Sequence, residues 1–365
     1  MEYYSAFALK RFIELSGQKC LIANIPAFTT GGALLNAIMP SFPSGRIPIA
    51  VAINTTRSHY PLLSDKIDHL ISWIIDGLDW SGKPVDDRDW IVGYCYDFGY
   101  AKHTHPIACP VPMEVYNSSC NIVPSHQIVF AGNRGLPARE WISSEWFMQL
   151  IRSYNIPINC IRHLVDRIEY QYEQGERLIG YREFDNFACY DEELKNCLAT
   201  LLPNDRRTLM NIYLYWGINE SAYRQTVVKW IIDLGVDIQI AGCGWEWTGK
   251  RSVGFIDGLE ALQSFWKSGV AGLHLNSLET SHHRIYEIAM AGRPCLTRGK
   301  TAPSNNNNMF IPEEHERWYS YEIRKIMDAI TKDNELISNP FIKQTPNITC
   351  FKTKHDLELL LKTMF

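Results

Sequence analysis

Two glutamates, Glu279 and Glu287, stand eight positions apart in the string Leu275-Asn-Ser-Leu-Glu279-Thr-Ser-His-His-Arg284-Ile-Tyr-Glu287-Ile-Ala-Met-Ala-Gly292-Arg-Pro294. The first follows a strand-like run, Val270–Leu275, and the second lies on a helix-like run, His283–Ala291. Between them Thr280, Ser281 and His282 fall where that helix begins. A helix start presents unbonded backbone N–H groups and the positive end of the macrodipole, which suits a diphosphate. Arg284 adds positive charge there. A carboxylate beyond such a pocket can accept two hydrogen bonds from neighbouring hydroxyls of a ribose or hexose, because it is an acceptor-only group. Glutamate spacing alone is a weak signal; the strand, turn and helix around it give it meaning.

The elements that must hold these residues read as alternating strands and helices. In the first half a helical pattern runs from Tyr4 to Leu15, and Cys20–Ile25 reads as a buried parallel strand ending in Thr29-Thr-Gly31-Gly32. Ala33–Met39 reads as a helix, Ile47–Ile53, Ile67–Ile75 and Trp90–Tyr96 as strands, and a Pro-spaced stretch closes the half at Pro124. In the second half Gln127–Ala131 is a strand running into Gly132-Asn133, and Arg139 to about Leu201 is a helical block. Helix-like Ala222–Leu234 and Leu259–Ser268 then alternate with strand-like Val236–Ala241, Val270–Leu275 and Pro294–Thr297, and Gly242-Cys-Gly244 forms a turn. Asn305–Asn308 marks a loop. This alternation predicts an α/β protein with parallel sheets, in two Rossmann-like domains. Their expected bounds are 1–125 and 126–350, with a helical insertion at about 139–205 and a C-terminal helix at 351–365.

Composition narrows the class. The chain has 365 residues, 46% hydrophobic and 21% charged, which excludes a disordered, collagen-like or coiled-coil protein. A net charge of -4, from 36 basic and 40 acidic residues, carries no signature of a general nucleic-acid coat. No apolar run approaches the ~20 residues of a membrane helix, and Met1-Glu-Tyr-Tyr4 opens no signal peptide. The ten cysteines form no Cys-x-x-Cys pair and read as reduced thiols of a cytoplasmic protein.

The Glu-x7-Glu string followed by Ala-Met-Ala-Gly-x-Pro resembles the donor-site signature of GT-B glycosyltransferases, and Arg284-Ile-Tyr-Glu287-Ile-Ala is most similar to their CgeB-like (spore-maturation) branch. The likeness extends to Asn219–Trp245, where Arg224 on a helix precedes a strand and a Gly-x-Gly turn, and to Phe130-Ala-Gly-Asn133 followed by a helical insertion. About 170 residues of the second half are covered; the first half resembles the family in topology only.

The resemblance implies a GT-B fold, two Rossmann-like domains facing each other across a cleft, and transfer of a hexosyl group from a nucleotide-diphosphate sugar to an acceptor hydroxyl. It implies no cofactor and no metal, since such enzymes stabilise the departing nucleotide with fixed charges and dipoles. Glu287 would bind the ribose and Glu279 the donor sugar, while Thr280 and Ser281 would face the diphosphate through backbone amides. Arg224 would neutralise the leaving group, and Gly242 and Gly244 would let the backbone approach the base, with Trp245 bordering it or lying in the core. Gly31 and Gly32 would close over the phosphates from the other domain. The acceptor is a glycan, a protein or a nucleic-acid base. The first domain would supply the catalytic base, with Asp76 at the end of a strand-like run ahead of His59 and Asp97.

Departures from the family pattern accompany the likeness. Thr280-Ser-His-His283 is bulkier than the family's Gly-rich turn, a charged, Asn-rich insertion precedes Phe351–Leu361, which resembles the element that normally follows the donor helix closely, and the long helix that usually returns to the first domain is expected to be absent. The Asp-x-Asp string within Asp86–Asp89, which binds a metal–diphosphate in another glycosyltransferase class, follows Ser81-Gly-Lys-Pro and reads as a polar loop. His103 and His105 read as a solvated loop without a third metal ligand. Alternative readings are a phage-type DNA-base glucosyltransferase, which also pairs an Arg-bearing helix with Arg-x-x-Glu, a non-catalytic nucleotide-sugar-binding module, and a sugar-nucleotide epimerase.

Overall fold

The computed structural model describes residues 2–22, 39–53, 57, 65–74, 86–93, 103–106, 122–275, 283–298, 312–331, 340 and 347–365. It divides into two units: residues 1–117, 281–286 and 310–345 in the first, and residues 118–280, 287–309 and 346–365 in the second. Each unit carries a parallel sheet, so the protein is α/β. No helix among the described residues is long and apolar enough to cross a membrane.

The first sheet holds β1 (Ile47–Ile53), β2 (Ile67–Ile74), β3 (Asp89–Gly93) and β4 (His103–Pro106), side by side in that order and all parallel. One face carries Ile71, Trp73 and Val92, and two helices cover it. Helix α1 (Glu2–Leu15) contributes Ala8, Leu9, Phe12 and Ile13. A 20-residue helix from late in the chain (Pro312–Thr331) contributes Tyr319, Ile323, Ile326, Met327 and Ile330. Positions 319, 323, 326, 327 and 330 form one apolar stripe at helical spacing, and burying each large aliphatic among them favours the folded state by ~1.5–3 kcal/mol. Glu314, Arg317 and Arg324 lie on the exposed side of this amphipathic helix, while Glu322 is buried and the apolar stripe fits the first sheet.

At the amino ends of β2 and β3 the buried Arg57 donates to Asp89 Oδ1 from Nε (2.9 Å) and Nη2 (2.6 Å), and to the Ile67 carbonyl from Nη1 (2.7 Å). Asp89 is thus no part of a polar loop but the buried first residue of a strand. Asp86 does lie in a turn, held by Arg88, whose hydrogen bonds keep its carboxyl well below the usual range. The expected strand Cys20–Ile25 fails in its described part. Cys20–Ile22 is not a strand, and Leu21 is 57% exposed.

The second sheet is built from β5 (His126–Ala131), β6 (Ile238–Ala241), β7 (Ser252–Gly254), β8 (Gly269–His274), β9 (Cys295–Arg298) and β10 (Ile348–Phe351). Its order is β7-β6-β5-β8-β9-β10, all parallel. Counted within the unit this is 3-2-1-4-5-6, the doubly wound order of Rossmann-like sheets, and it reverses direction between β5 and β8.

The helical block between β5 and β6 comprises α2 (Ala138–Ser143), α3 (Glu145–Ser153), α4 (Ile158–Glu173), α5 (Tyr181–Ala188), α6 (Glu192–Ala199) and α7 (Pro203–Thr208). It does not stop near residue 205. It continues without a break through a π-helical segment, Leu209–Glu220, into α8 (Ser221–Asp233). The apolar side chains of this block share one core with Ile128, Phe130, Ile240 and Leu273 of the sheet. After β7 come α9 (Leu259–Ser268) and, after β8, α10 (His283–Met290); the Pro312–Thr331 helix is α11, and α12 (Lys354–Met364) follows β10. Ile288 of α10 packs on Gly272 of β8 so closely that a side chain at 272 would collide with it. Helix α12 starts in a capping box: Thr353 Oγ1 accepts from the Asp356 N–H at 3.1 Å, and the Asp356 carboxylate accepts from the Thr353 N–H at 3.0 Å.

Candidate functional site

The carboxyl ends of β5, β6 and β8 are laced together. The turn after β5 meets the turn after β6 through Gly132 N–H to Ala241 O (2.9 Å), Arg134 N–H to Cys243 O (3.0 Å) and Cys243 N–H to Asn133 Oδ1 (3.0 Å). Gly242 has φ +127°, and a Cβ there would collide with the Gly132 carbonyl. Only glycine permits that conformation and that approach together. Gly244, with φ +86°, lies against Arg134. What the Gly-x-Gly turn closely approaches in this fold is the neighbouring turn.

Arg224 of α8 reaches into the same place. Its Nη1 donates to the Asn133 carbonyl after β5 (2.8 Å), its Nε to the Leu275 carbonyl after β8 (3.1 Å), and its Nη2 to Glu220 Oε1 one turn earlier (3.4 Å). The guanidinium therefore straddles the reversal of strand order, where doubly wound sheets bind ligands. These three bonds leave two of its five N–H donors without a described partner, and its side chain is 22% exposed. It can accept an anion without losing its anchors.

Below Arg224 lies a buried polar group that sequence reasoning missed. The Tyr172 hydroxyl donates to Asn219 Oδ1 (2.7 Å) and accepts from the Ile179 N–H (3.1 Å), while Asn219 Nδ2 donates to the Ile179 carbonyl (3.1 Å). This closed ring fixes the end of the π-helical segment and hence the buried Glu220 beside it. Isolated π turns often mark functional sites; this segment ends on the residues that hold Arg224. Arg298, buried at the end of β9, lies 5.7 Å from the Tyr223 ring and packs against Gly180, where any side chain would displace it. Burial pushes the Tyr172 and Tyr223 hydroxyls well above their ordinary pKa, so both stay neutral. The one local signal was the Glu220/Arg224 spacing of four, the separation of facing residues on a helix.

The other predicted residues divide plainly. Glu287 is on α10 and only 5% exposed, and Arg284 stands one turn before it, half-buried. Trp245 is a core residue: fully buried, edge-on to Phe130, with its indole N–H donating to the Gly132 carbonyl at 2.7 Å. It does not border an open base pocket. Glu279, Thr280, Ser281, Gly31, Gly32 and Asp76 lie outside the described residues, as do His59 and Asp97. The structure thus brings Arg224, Gly242 and Gly244 around one turn, Gly132–Arg134.

His103 and His105 do not form a solvated loop; they belong to strand β4. The His103 ring stacks on Trp90 at 4.8 Å, and His105 Nε2 lies 2.9 Å from Glu322 Oε2 of α11. Among the described residues no group of three or more His, Cys, Asp or Glu is placed to hold a metal ion. Comparison with protein-family models and with curated protein sequences finds no match for this chain.

Proposed function

We propose that the second unit binds a nucleotide-diphosphate sugar at the reversal between β5 and β8, and that the chain is a GT-B glycosyltransferase moving a hexosyl group to an acceptor hydroxyl. The observation that carries this reading is Arg224, anchored to the carbonyls of Asn133 and Leu275 on the two sides of that reversal. A cation fixed at the carboxyl ends of parallel strands matches a diphosphate, and it stabilises charge that grows as the glycosidic bond breaks.

The remaining roles follow the family resemblance. Glu287 accepts from the ribose hydroxyls, its carboxylate having more acceptor sites than one partner fills. Glu279 holds the sugar, Thr280 and Ser281 offer backbone amides to the phosphates, and Gly31 and Gly32 are further phosphate-binding glycines by the same resemblance. Asp76 is the base that the resemblance suggests. Fixed charge rather than a bound metal serves the leaving group, so binding should persist in EDTA.

The test is a thermal-shift screen of the purified chain against nucleoside diphosphates and their sugar conjugates in EDTA. A ligand at 100 times its dissociation constant stabilises the native state by about 2.7 kcal/mol. A shift selective for one nucleoside diphosphate is expected, and no shift with any of them contradicts the reading.

A further inference from the structure

The outward face of α4 carries a cavity that the Arg224 site does not use. Asp166, Arg167, Tyr170 and Gln171, neighbours at helical spacing, line it together with Glu176 and Phe187. Its volume is about 300 Å³, at the lower end of the range of small-molecule sites. All six residues belong to the second unit. Tyr172 of the same helix turns inward to Asn219, so the cavity and the buried ring beneath Arg224 lie on different faces of α4.

Local structure holds the lining in place. Helix α4 ends in a Schellman turn: the Gly175 N–H bonds to the Tyr172 carbonyl (3.0 Å) and the Glu176 N–H to the Gln171 carbonyl (3.2 Å), with Gly175 at φ +73°. Gln171 Nε2 also donates to the Arg177 carbonyl, which keeps Glu176 folded back beside the helix. Arg167 packs on two rings, 4.4 Å from the Phe187 centroid and 4.7 Å from that of Tyr190. Its Nη1 donates to the Phe187 carbonyl at 3.2 Å, and the Tyr190 N–H shares that acceptor at 3.3 Å. Tyr190 is nevertheless 79% exposed, and Tyr170, in the cavity wall, 64%. Folding gains little from rings so exposed, and aromatic side chains grouped with polar ones on a surface are the mark of a binding site.

The lining selects among ligands. Two carboxylates, Asp166 and Glu176, against the single guanidinium of Arg167 disfavour a phosphate or a nucleic acid. A cationic ligand would be repelled by Arg167, which already occupies a face of Phe187 and of Tyr190. A neutral ligand remains. Asp166 gives Oδ1 to Arg139 Nη2 (2.8 Å) and keeps Oδ2 as an acceptor, and the Glu176 carboxylate has no partner among the described residues. Carboxylates only accept, so the matching groups are hydroxyls. An apolar C–H face for an aromatic ring, edged by hydroxyls for carboxylates, describes a pyranose.

We infer that this cavity is a saccharide-binding site, in which a pyranose ring of a glycan stacks on Tyr170 and donates hydroxyl hydrogen bonds to Asp166 and Glu176. The site goes beyond the glycosyltransferase reading and is independent of it, since it uses neither Arg224 nor a nucleotide.

The experiment titrates the intact chain with maltotriose, cellotriose, mannotriose and N,N′,N″-triacetylchitotriose, by calorimetry and saturation-transfer-difference NMR. Trilysine and inorganic phosphate serve as charged comparisons. Variants are Tyr170→Ala, Glu176→Gln and, as a control, Trp146→Ala, which removes a half-exposed ring that does not line the cavity. Circular dichroism confirms that each variant folds. At least one trisaccharide should bind, with saturation transferred to its ring C–H protons. Tyr170→Ala should weaken that binding about tenfold or more and Glu176→Gln about fivefold, while Trp146→Ala should stay within about twofold of wild type. No binding of any trisaccharide overturns the inference. Affinity unchanged in both Tyr170→Ala and Glu176→Gln overturns it too, as does a loss in Trp146→Ala alone, which puts the sugar elsewhere. Binding of trilysine or phosphate that is lost in Tyr170→Ala would replace the saccharide with a charged ligand. Trisaccharide binding without any nucleotide binding leaves this site standing while the donor reading falls.

Discussion

The second sheet reverses its strand order between β5 and β8, and a guanidinium tied to backbone carbonyls fills the reversal. The four described strands of the first sheet follow one another in chain order, and at one edge His105 leans on Glu322. Polar investment differs in the same way. The second unit fixes its carboxyl ends with a lattice of turn-to-turn hydrogen bonds and the Tyr172–Asn219 ring. In the first unit the tightest buried pair, Arg57–Asp89, lies at the opposite, amino end of the strands. The second sheet thus fixes a positive charge at its carboxyl ends, while the first carries its buried ion pair at the amino ends.

The largest effect expected from breaking this contrast comes from Arg57→Ala. Removing one partner of a buried ion pair strands the other charge and costs about 3–5 kcal/mol. Urea unfolding should show this loss with nucleotide binding by the remaining folded protein unchanged; a change under about 1 kcal/mol would show that the pair does not hold the first sheet. Gly242→Ala comes next. It forces a Cβ into the Gly132 carbonyl at a positive φ and should cost about 2–4 kcal/mol while loosening the turn that anchors Arg224. Equal stability of the alanine variant would contradict the close approach. Glu287→Ala should weaken nucleotide binding by about 100-fold, or about 2.8 kcal/mol, by calorimetry. An unchanged affinity would remove Glu287 from the donor site.

The smallest effect sharpens the comparison. The Tyr223 hydroxyl is buried with no hydrogen-bond partner among the described residues. Tyr223→Phe should leave stability unchanged or raise it by up to about 1 kcal/mol, because an unsatisfied buried hydroxyl costs free energy. A loss above 1 kcal/mol would reveal a partner for that hydroxyl.

What the sequence disclosed depended on distance along the chain. Apolar β-branched runs such as Ile47–Ile53 and Val270–Leu275 announced strands, because a strand in a parallel sheet is buried on both faces. His103-Thr-His-Pro106 did not, since it is short, polar and ends in proline; it becomes a strand by adding to β3 and stacking on Trp90. The π-helical segment Leu209–Glu220 is apolar on all sides and gives no periodicity to read. Helix α11 was hidden by its charges, although its apolar stripe is regular.

The site divides likewise. Arg224 was legible because a helix, a strand and a Gly-x-Gly turn follow one another locally, whereas the carbonyls it ties lie 91 and 51 residues away. His105 and Glu322 are separated by more than two hundred residues and carry no local pattern. Trp245, adjacent to the Gly-x-Gly turn, had the sequence position of a base neighbour, yet its indole N–H finds its partner in the interior. Short-range grammar therefore pointed to Arg224 and its turn, and only the folded chain could bring His105 beside Glu322.

The most direct test of the central claim is a crystal structure of the intact chain with the nucleoside diphosphate that gives the largest thermal shift. The account predicts its phosphates within hydrogen-bond distance of Arg224, between the turn after β5 and the end of β8, with the ribose hydroxyls on Glu287. A nucleotide bound elsewhere, with Arg224 touching only Asn133, Leu275 and Glu220, would contradict it.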